Sequence, residues 1–193
     1  MSLISDKLAV FSLIFTMLSV SVAPHPLILL ITYALHELGH LFFASVVGAK
    51  IKRFKLGAFH LSLCYDCTEL SYKRELLVSL GGIIFNLISG TLVLAIPFLK
   101  GEVITYFVLC NFSLAIMNLY PASVLDGNGA LKSFLYLLLP QERADKILGG
   151  VSIIAILLIW LVSVYFQLIF SSNLSLLIIS IVLLVELCFS VAK

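Results

Sequence analysis

The sequence predicts an all-α polytopic membrane protein with about six transmembrane helices and a short membrane-associated β-hairpin on the cytoplasmic side. Three observations lead there. First, 62% of the 193 residues are hydrophobic and only 11% are Asp, Glu, Lys or Arg, against about 25% charged in a soluble domain. The mean hydropathy is +1.18. Second, the apolar residues fall into separate runs, each near the length that crosses a bilayer. Third, the basic residues collect on one side of those runs.

The candidate spans are residues 8–22, 26–47, 76–98, 103–120, 148–169 and 174–190, within a single domain of residues 1–193. The first run is short and near a terminus, so a signal peptide is the rival reading. Ser21, Val22 and Ala23 give a small-x-small match, but Pro24 directly after it is a poor cleavage context. A retained span is favoured. With a cytoplasmic N-terminus, the inner segments hold Lys7, Lys50, Lys52, Arg53, Lys55, Lys73, Arg74, Lys132, Arg143, Lys146 and Lys193. The outer loops hold only Lys100. Both termini are therefore expected in the cytoplasm of a multi-pass cell-membrane protein. Topology and lipid headgroup contact account for these cations, and nothing points to nucleic acid.

Residues 49–75 are the longest polar stretch, too short for an independent domain. Ile51, Phe54 and Leu56 interleave there with Lys50, Lys52, Arg53 and Lys55, and Gly57 breaks the run. That pattern predicts a β-hairpin over about residues 50–63, with an interfacial segment as the other reading. Cys64 and Cys67 form a lone CxxC in the same loop, with no second pair to complete a metal set. Reduced thiols are expected. Cys110 and Cys188 fall inside spans and read as inert core residues. After the fourth span, Pro121 and the Asp126-Gly127-Asn128-Gly129 cluster predict a turn. The apolar run that follows, "ALKSFLYLLL", is too short to cross and suits a partly submerged helix.

One span carries groups that a lipid-facing helix avoids. "YALHELGHLFF" holds His36, Glu37 and His40. A spacing of four places both imidazoles on one helix face, one turn apart. Two imidazole nitrogens so arranged suit one Zn²⁺ ion. Glu37 follows the first histidine, where its carboxylate reaches the attacking water without being a ligand. The competing reading is a set of packed polar residues bonding other helices. Three ionisable groups within five residues would need many internal partners, so a metal site is favoured. A catalytic zinc wants three protein ligands. His25, His60 and Glu186 are other candidates for the third; Asp126 is best placed, because the span before it runs in the same direction as the HELGH span.

These residues resemble the site-2 protease family of intramembrane zinc metalloproteases. That family pairs the HExxH helix with a later Asn, a Pro three residues on, and Asp-Gly five residues after the Pro; Asn118, Pro121, Asp126 and Gly127 match it. Its Gly-x-x-x-Asn motif is matched by Gly82 and Asn86. The loop after the HELGH helix resembles the family's membrane-associated hairpin. Six spans with the site towards the cytoplasmic face resemble the stage IV sporulation protease branch most, here without a PDZ or CBS domain. The resemblance covers roughly residues 26–130.

The resemblance implies one Zn²⁺ per chain held by His36, His40 and Asp126, with Glu37 as general base. It also implies that Asn86 and Asn118 donate hydrogen bonds to substrate backbone or oxyanion, where interhelical hydrogen bonding is the plainer alternative. The expected partners are a transmembrane protein substrate and the bilayer, with a regulatory membrane partner or a second copy left open. A transmembrane substrate hides its peptide bonds in its own helix and must unwind to be cut. The first hairpin strand, with Lys52, Phe54 and Leu56, is the candidate edge for docking it by strand addition. Two other readings compete: a metalloprotease acting on soluble chains, and a metal transporter or sensor using the same histidine pair.

Overall fold

A computed structural model describes residues 25–49, 51–56, 61–65, 70–122, 125–170 and 181. The spans expected at 8–22 and 174–190 lie outside them, as do the hairpin turn, His60, Cys67 and Glu186. The described elements are α1 (Pro26–Val46), β1 (Ile51–Leu56), β2 (Leu61–Tyr65), α2 (Tyr72–Leu94), α3 (Glu102–Leu119), α4 (Asp126–Leu138) and α5 (Gln141–Phe170). Four of the helices, α1, α2, α3 and α5, are long and apolar enough to cross a membrane. Contacts divide the chain into two compact units, Met1–Met117 and Asn118–Lys193.

In the first unit, α1 begins with Pro26 in its first turn, where a missing N–H costs nothing. It ends where Gly48 takes φ +72°, a conformation that suits glycine. The helix is polar inside and apolar outside. Thr32, His36, Glu37, Gly39 and Ala44 are buried, while Leu27, Leu30, Ile31, Leu38 and Phe42 are exposed. Such a surface suits lipid, and the inward face needs partners within the protein.

Helix α2 provides them. Its buried face carries Val78, Gly82, Asn86 and Gly90 at successive spacings of four. Gly39 of α1 and Gly81 of α2 meet backbone to backbone. A Cβ on Gly39 would run into the Gly81 carbonyl, and a Cβ on Gly81 would sit 2.7 Å from the Gly39 carbonyl. Small residues permit this approach, which dispersion then rewards. Phe42, Phe43 and Phe85 pack beside it, with the Phe42 and Phe85 centroids 5.4 Å apart. Helix α2 starts at Tyr72 rather than at the expected residue 76. The Ser71 carbonyl accepts from the Arg74 and Glu75 amides, so the helix begins in polar residues that hydropathy passes over. Helix α3 follows Gly101 and joins α1 through Asn111, whose Nδ2 donates to Thr32 Oγ1 at 3.3 Å.

Strands β1 and β2 pair antiparallel, with Phe54 opposite Leu63 and Leu56 opposite Leu61. The register shifts between Ile51 and Arg53, which leaves Lys52 as the extra residue of a bulge.

In the second unit, Ala122 and Ile156 form a small core with Tyr120, Leu125 and Ile159 packed against it. Tyr120 donates its hydroxyl to the Ala155 carbonyl at 2.8 Å. Helix α5 starts at Gln141, seven residues before the expected apolar run, because the Pro140 carbonyl accepts from Arg143 and Ala144. Tyr136 of α4 donates to Asp145 of α5 at 2.5 Å.

The glycine contact makes a direct prediction. Gly39→Ala should destabilise the protein by about 1–3 kcal/mol, the usual cost of overpacking. Gly149→Ala should not, since nothing lies within 4 Å of its Cβ position. Unfolding midpoints in detergent titration decide; equal midpoints for the two variants would contradict the packing.

Candidate metal centre

The centre starts from α1, whose period brings His36 and His40 to one face. His36 is 2% exposed and Glu37 9%, so both imidazole and carboxylate are withdrawn from lipid. The two rings stand nearly perpendicular, at 86°, with centroids 4.9 Å apart. Their Nε2 atoms face each other at 3.3 Å. His40 Nδ1 lies 2.8 Å from the Val78 carbonyl of α2. A carbonyl only accepts, so Nδ1 carries the proton and Nε2 presents its lone pair towards His36. Orientation of a ligand histidine by such a bond is the usual outer support of a metal site.

Gly82 lies against both rings. A Cβ there would sit 2.6 Å from His36 Cε1 and 2.6 Å from His40 Nε2. The glycine of the Gly-x-x-x-Asn motif therefore has a local reason: it makes room for two imidazoles. Asn86, one turn further along α2, is fully buried.

Asn118 and Asp126 belong to the second unit. Asn118 closes α3 and is 9% exposed. Asp126 is half-buried in the first turn of α4, so "DGNG" opens a helix where the sequence predicted a turn. Gly127 decides the difference. A Cβ at that position would strike the Leu119 carbonyl and come within 2.7 Å of the Tyr120 carbonyl. The tight return of the chain, not a free turn, is what requires glycine. A carboxylate at a helix N-terminus also sits in the favourable end of the helix dipole. Asn128 Oδ1 accepts from the Ser152 hydroxyl of α5 at 2.9 Å. The same hydroxyl is 3.2 Å from the Pro121 carbonyl. Pro121 and Asn128 are thus each pinned to α5, a support that the sequence motif did not reveal.

The site-2 protease from Methanocaldococcus jannaschii is similar in structure, with a TM-score of 0.66 and 22% identity over 92% of this chain and 84% of that one. The chain has the site-2 protease fold. No protein-family model and no curated protein matches it. The four long apolar helices on this fold are those of a multi-pass membrane protein, and the HELGH helix buries Thr32, His36 and Glu37.

Gly82→Ala should move both imidazoles and weaken Zn²⁺ or Co²⁺ binding about 10–100-fold, as loss of outer support does. Metal titration of the purified, folded variant checks this; unchanged affinity would mean the rings do not need the glycine.

Proposed function

We propose that the protein is an intramembrane zinc metalloprotease that hydrolyses a peptide bond in or near a transmembrane segment of a membrane protein, as in regulated intramembrane proteolysis. The observation that carries this reading is the pair of Nε2 atoms facing each other at 3.3 Å, with Glu37 buried beside them. The site-2 protease fold supports it.

The donor set fits zinc. The proposed donors are His36, His40 and Asp126, each offering one ligand atom. Two imidazoles and a carboxylate make three protein ligands, the number that leaves a position open for chemistry. Bound zinc would polarise the scissile carbonyl and acidify the attacking water. Glu37 then takes a proton as water oxygen adds to the carbonyl carbon. The same carboxylic acid returns the proton to the amide nitrogen as the C–N bond breaks. Asn86 and Asn118 are proposed to hold substrate backbone or the developing oxyanion by donating from their amides.

The substrate enters as an unwound segment. Pairing with a strand edge offers its exposed backbone groups new hydrogen bonds. Strand β1, with Lys52, Phe54 and Leu56, is the proposed edge, and the bulge at Lys52 marks where regular pairing with β2 is interrupted. Six spans, both termini in the cytoplasm and a site towards the cytoplasmic side complete the reading, in the manner of the stage IV sporulation branch. A regulatory membrane partner or self-association would act on this frame.

Co-expression with single-span membrane proteins tests the assignment. Glu37→Gln should lower cleavage about 10²–10⁴-fold, the usual share of a general base, while bound zinc stays at one per chain. Equal processing by variant and wild type would sink the protease reading, and zinc without cleavage in both would favour the transporter or sensor. Asp126→Ala should lose zinc with His36 and His40 intact; retained metal would remove Asp126 from the ligand set. A proline at Phe54 should slow cleavage about tenfold through lost strand pairing and leave zinc in place. Undiminished cleavage would refute docking on β1.

A further inference from the structure

Away from the histidines, the interior of the first unit holds three neutral polar side chains that the proposed hydrolysis does not fully use. Thr32, Asn86 and Asn111 are each 0% exposed. Thr32 lies one turn before His36 on α1. Asn86 lies one turn beyond Gly82, which touches the His36 ring. Gly90 lies one further turn along α2, and a Cβ there would meet the Asn111 Cβ at 3.4 Å. Asn111 in turn bonds Thr32. The contacts therefore close a circuit through α1, α3 and α2, from His36 to Thr32, Asn111, Gly90, Asn86, Gly82 and back.

The hydrogen-bond accounting inside this circuit does not balance. Asn111 Nδ2 has two protons and uses both, one on Thr32 Oγ1 and one on the Phe107 carbonyl at 2.9 Å. Its Oδ1 has no partner. Asn86 has no partner at either Nδ2 or Oδ1. An amide offers two donors and a two-lone-pair acceptor, so one whole amide and one further carbonyl oxygen face inward unsatisfied. Lipid cannot satisfy them, and a buried polar group left bare is strongly penalised. No charge is present among the three, which argues against an ion. A small neutral molecule that both donates and accepts fits the set, and water is that molecule.

We propose that Thr32, Asn86 and Asn111 enclose a buried-water site, one helical turn from His36, that supplies water to the metal centre. The supply role rests on the protease reading; the water site itself does not. Each peptide bond cut consumes one water. The outward faces of α1 and α2, with Leu38, Phe42, Leu87 and Ile88 exposed, offer water no route through lipid. A water held beside the histidines, itself replaced from bulk water after each turnover, would be the one that next enters the centre. Thr32 and Asn111 act here as positioning residues.

Two readouts test the two parts. Hydroxyl-radical labelling in H₂¹⁸O reports bound water, with Phe112, whose ring borders Gly90, as the reporter. It is run in the Glu37→Gln background, so it needs no proteolysis. Thr32→Val and Asn111→Leu should each lower Phe112 labelling about fivefold if they remove the polar walls of a water site. In the active protein with a membrane-spanning reporter peptide, they should lower kcat about tenfold with KM and zinc content unchanged, and Thr32→Ser should stay within about twofold of wild type. Unchanged labelling overturns the water site. Lowered labelling with unchanged kcat overturns the supply role. Should Asn111→Leu fail to fold, the Thr32→Val and Thr32→Ser pair decides alone. Cleavage by Glu37→Gln equal to wild type would fell the protease reading, and the labelling result would still decide the water site.

Discussion

Two helices that touch through bare backbone are the constraint on which the first unit depends. Gly39 and Gly81 remove the side chains that would hold α1 and α2 apart. In lipid, apolar surface gains nothing by leaving the solvent, so helix association must come from close packing and polar bonds. The glycine contact supplies the first and makes the second possible. Only at that separation does the Val78 carbonyl come within 2.8 Å of His40 Nδ1. Only with Gly82 beneath them do two imidazoles fit between the helices. The arrangement of the two imidazoles is therefore a consequence of packing as much as of the HELGH motif.

The same inversion of polarity governs the second unit. Its apolar side chains face outward along α5, with Ile154, Leu158 and Leu161 exposed, while Ser152 is buried and occupied. Ser152 and the Ala155 carbonyl bind the chain on either side of Pro121, through Asn128 and Tyr120. Residues such as Gly, Asn and Pro would otherwise be free to turn in several ways. The bond from Ser152 to Asn128 is what gives the start of α4, and Asp126 with it, a defined position. A proposed ligand thus sits on a helix end rather than on a loose loop, which is the more precise support.

Much of this was legible in the residue order. Hydropathy located the centres of α1, α2, α3 and α5, because a run of apolar residues has few other uses. The period of the helix alone put His36 and His40 on one face. Helix ends were less legible. Helices α2 and α5 begin four and seven residues before their apolar runs, since backbone bonding continues through Tyr72–Glu75 and Gln141–Asp145 regardless of polarity. "DGNG" carries turn residues, yet it opens α4, because its glycine answers a steric demand from Leu119 and Tyr120 that lies outside the local sequence.

By itself the sequence determined the class of protein, the shared face of two imidazoles and a carboxylate one residue from the first of them. Those follow from local spacing and from the cost of charge in lipid. Only the tertiary structure decided which ring nitrogen of His40 carries the proton, why position 82 is glycine, and that Asn111 pairs with Thr32 across 79 residues. Each of these is an encounter between elements distant in the chain. No periodicity encodes such a meeting, because it depends on how closely two helices approach.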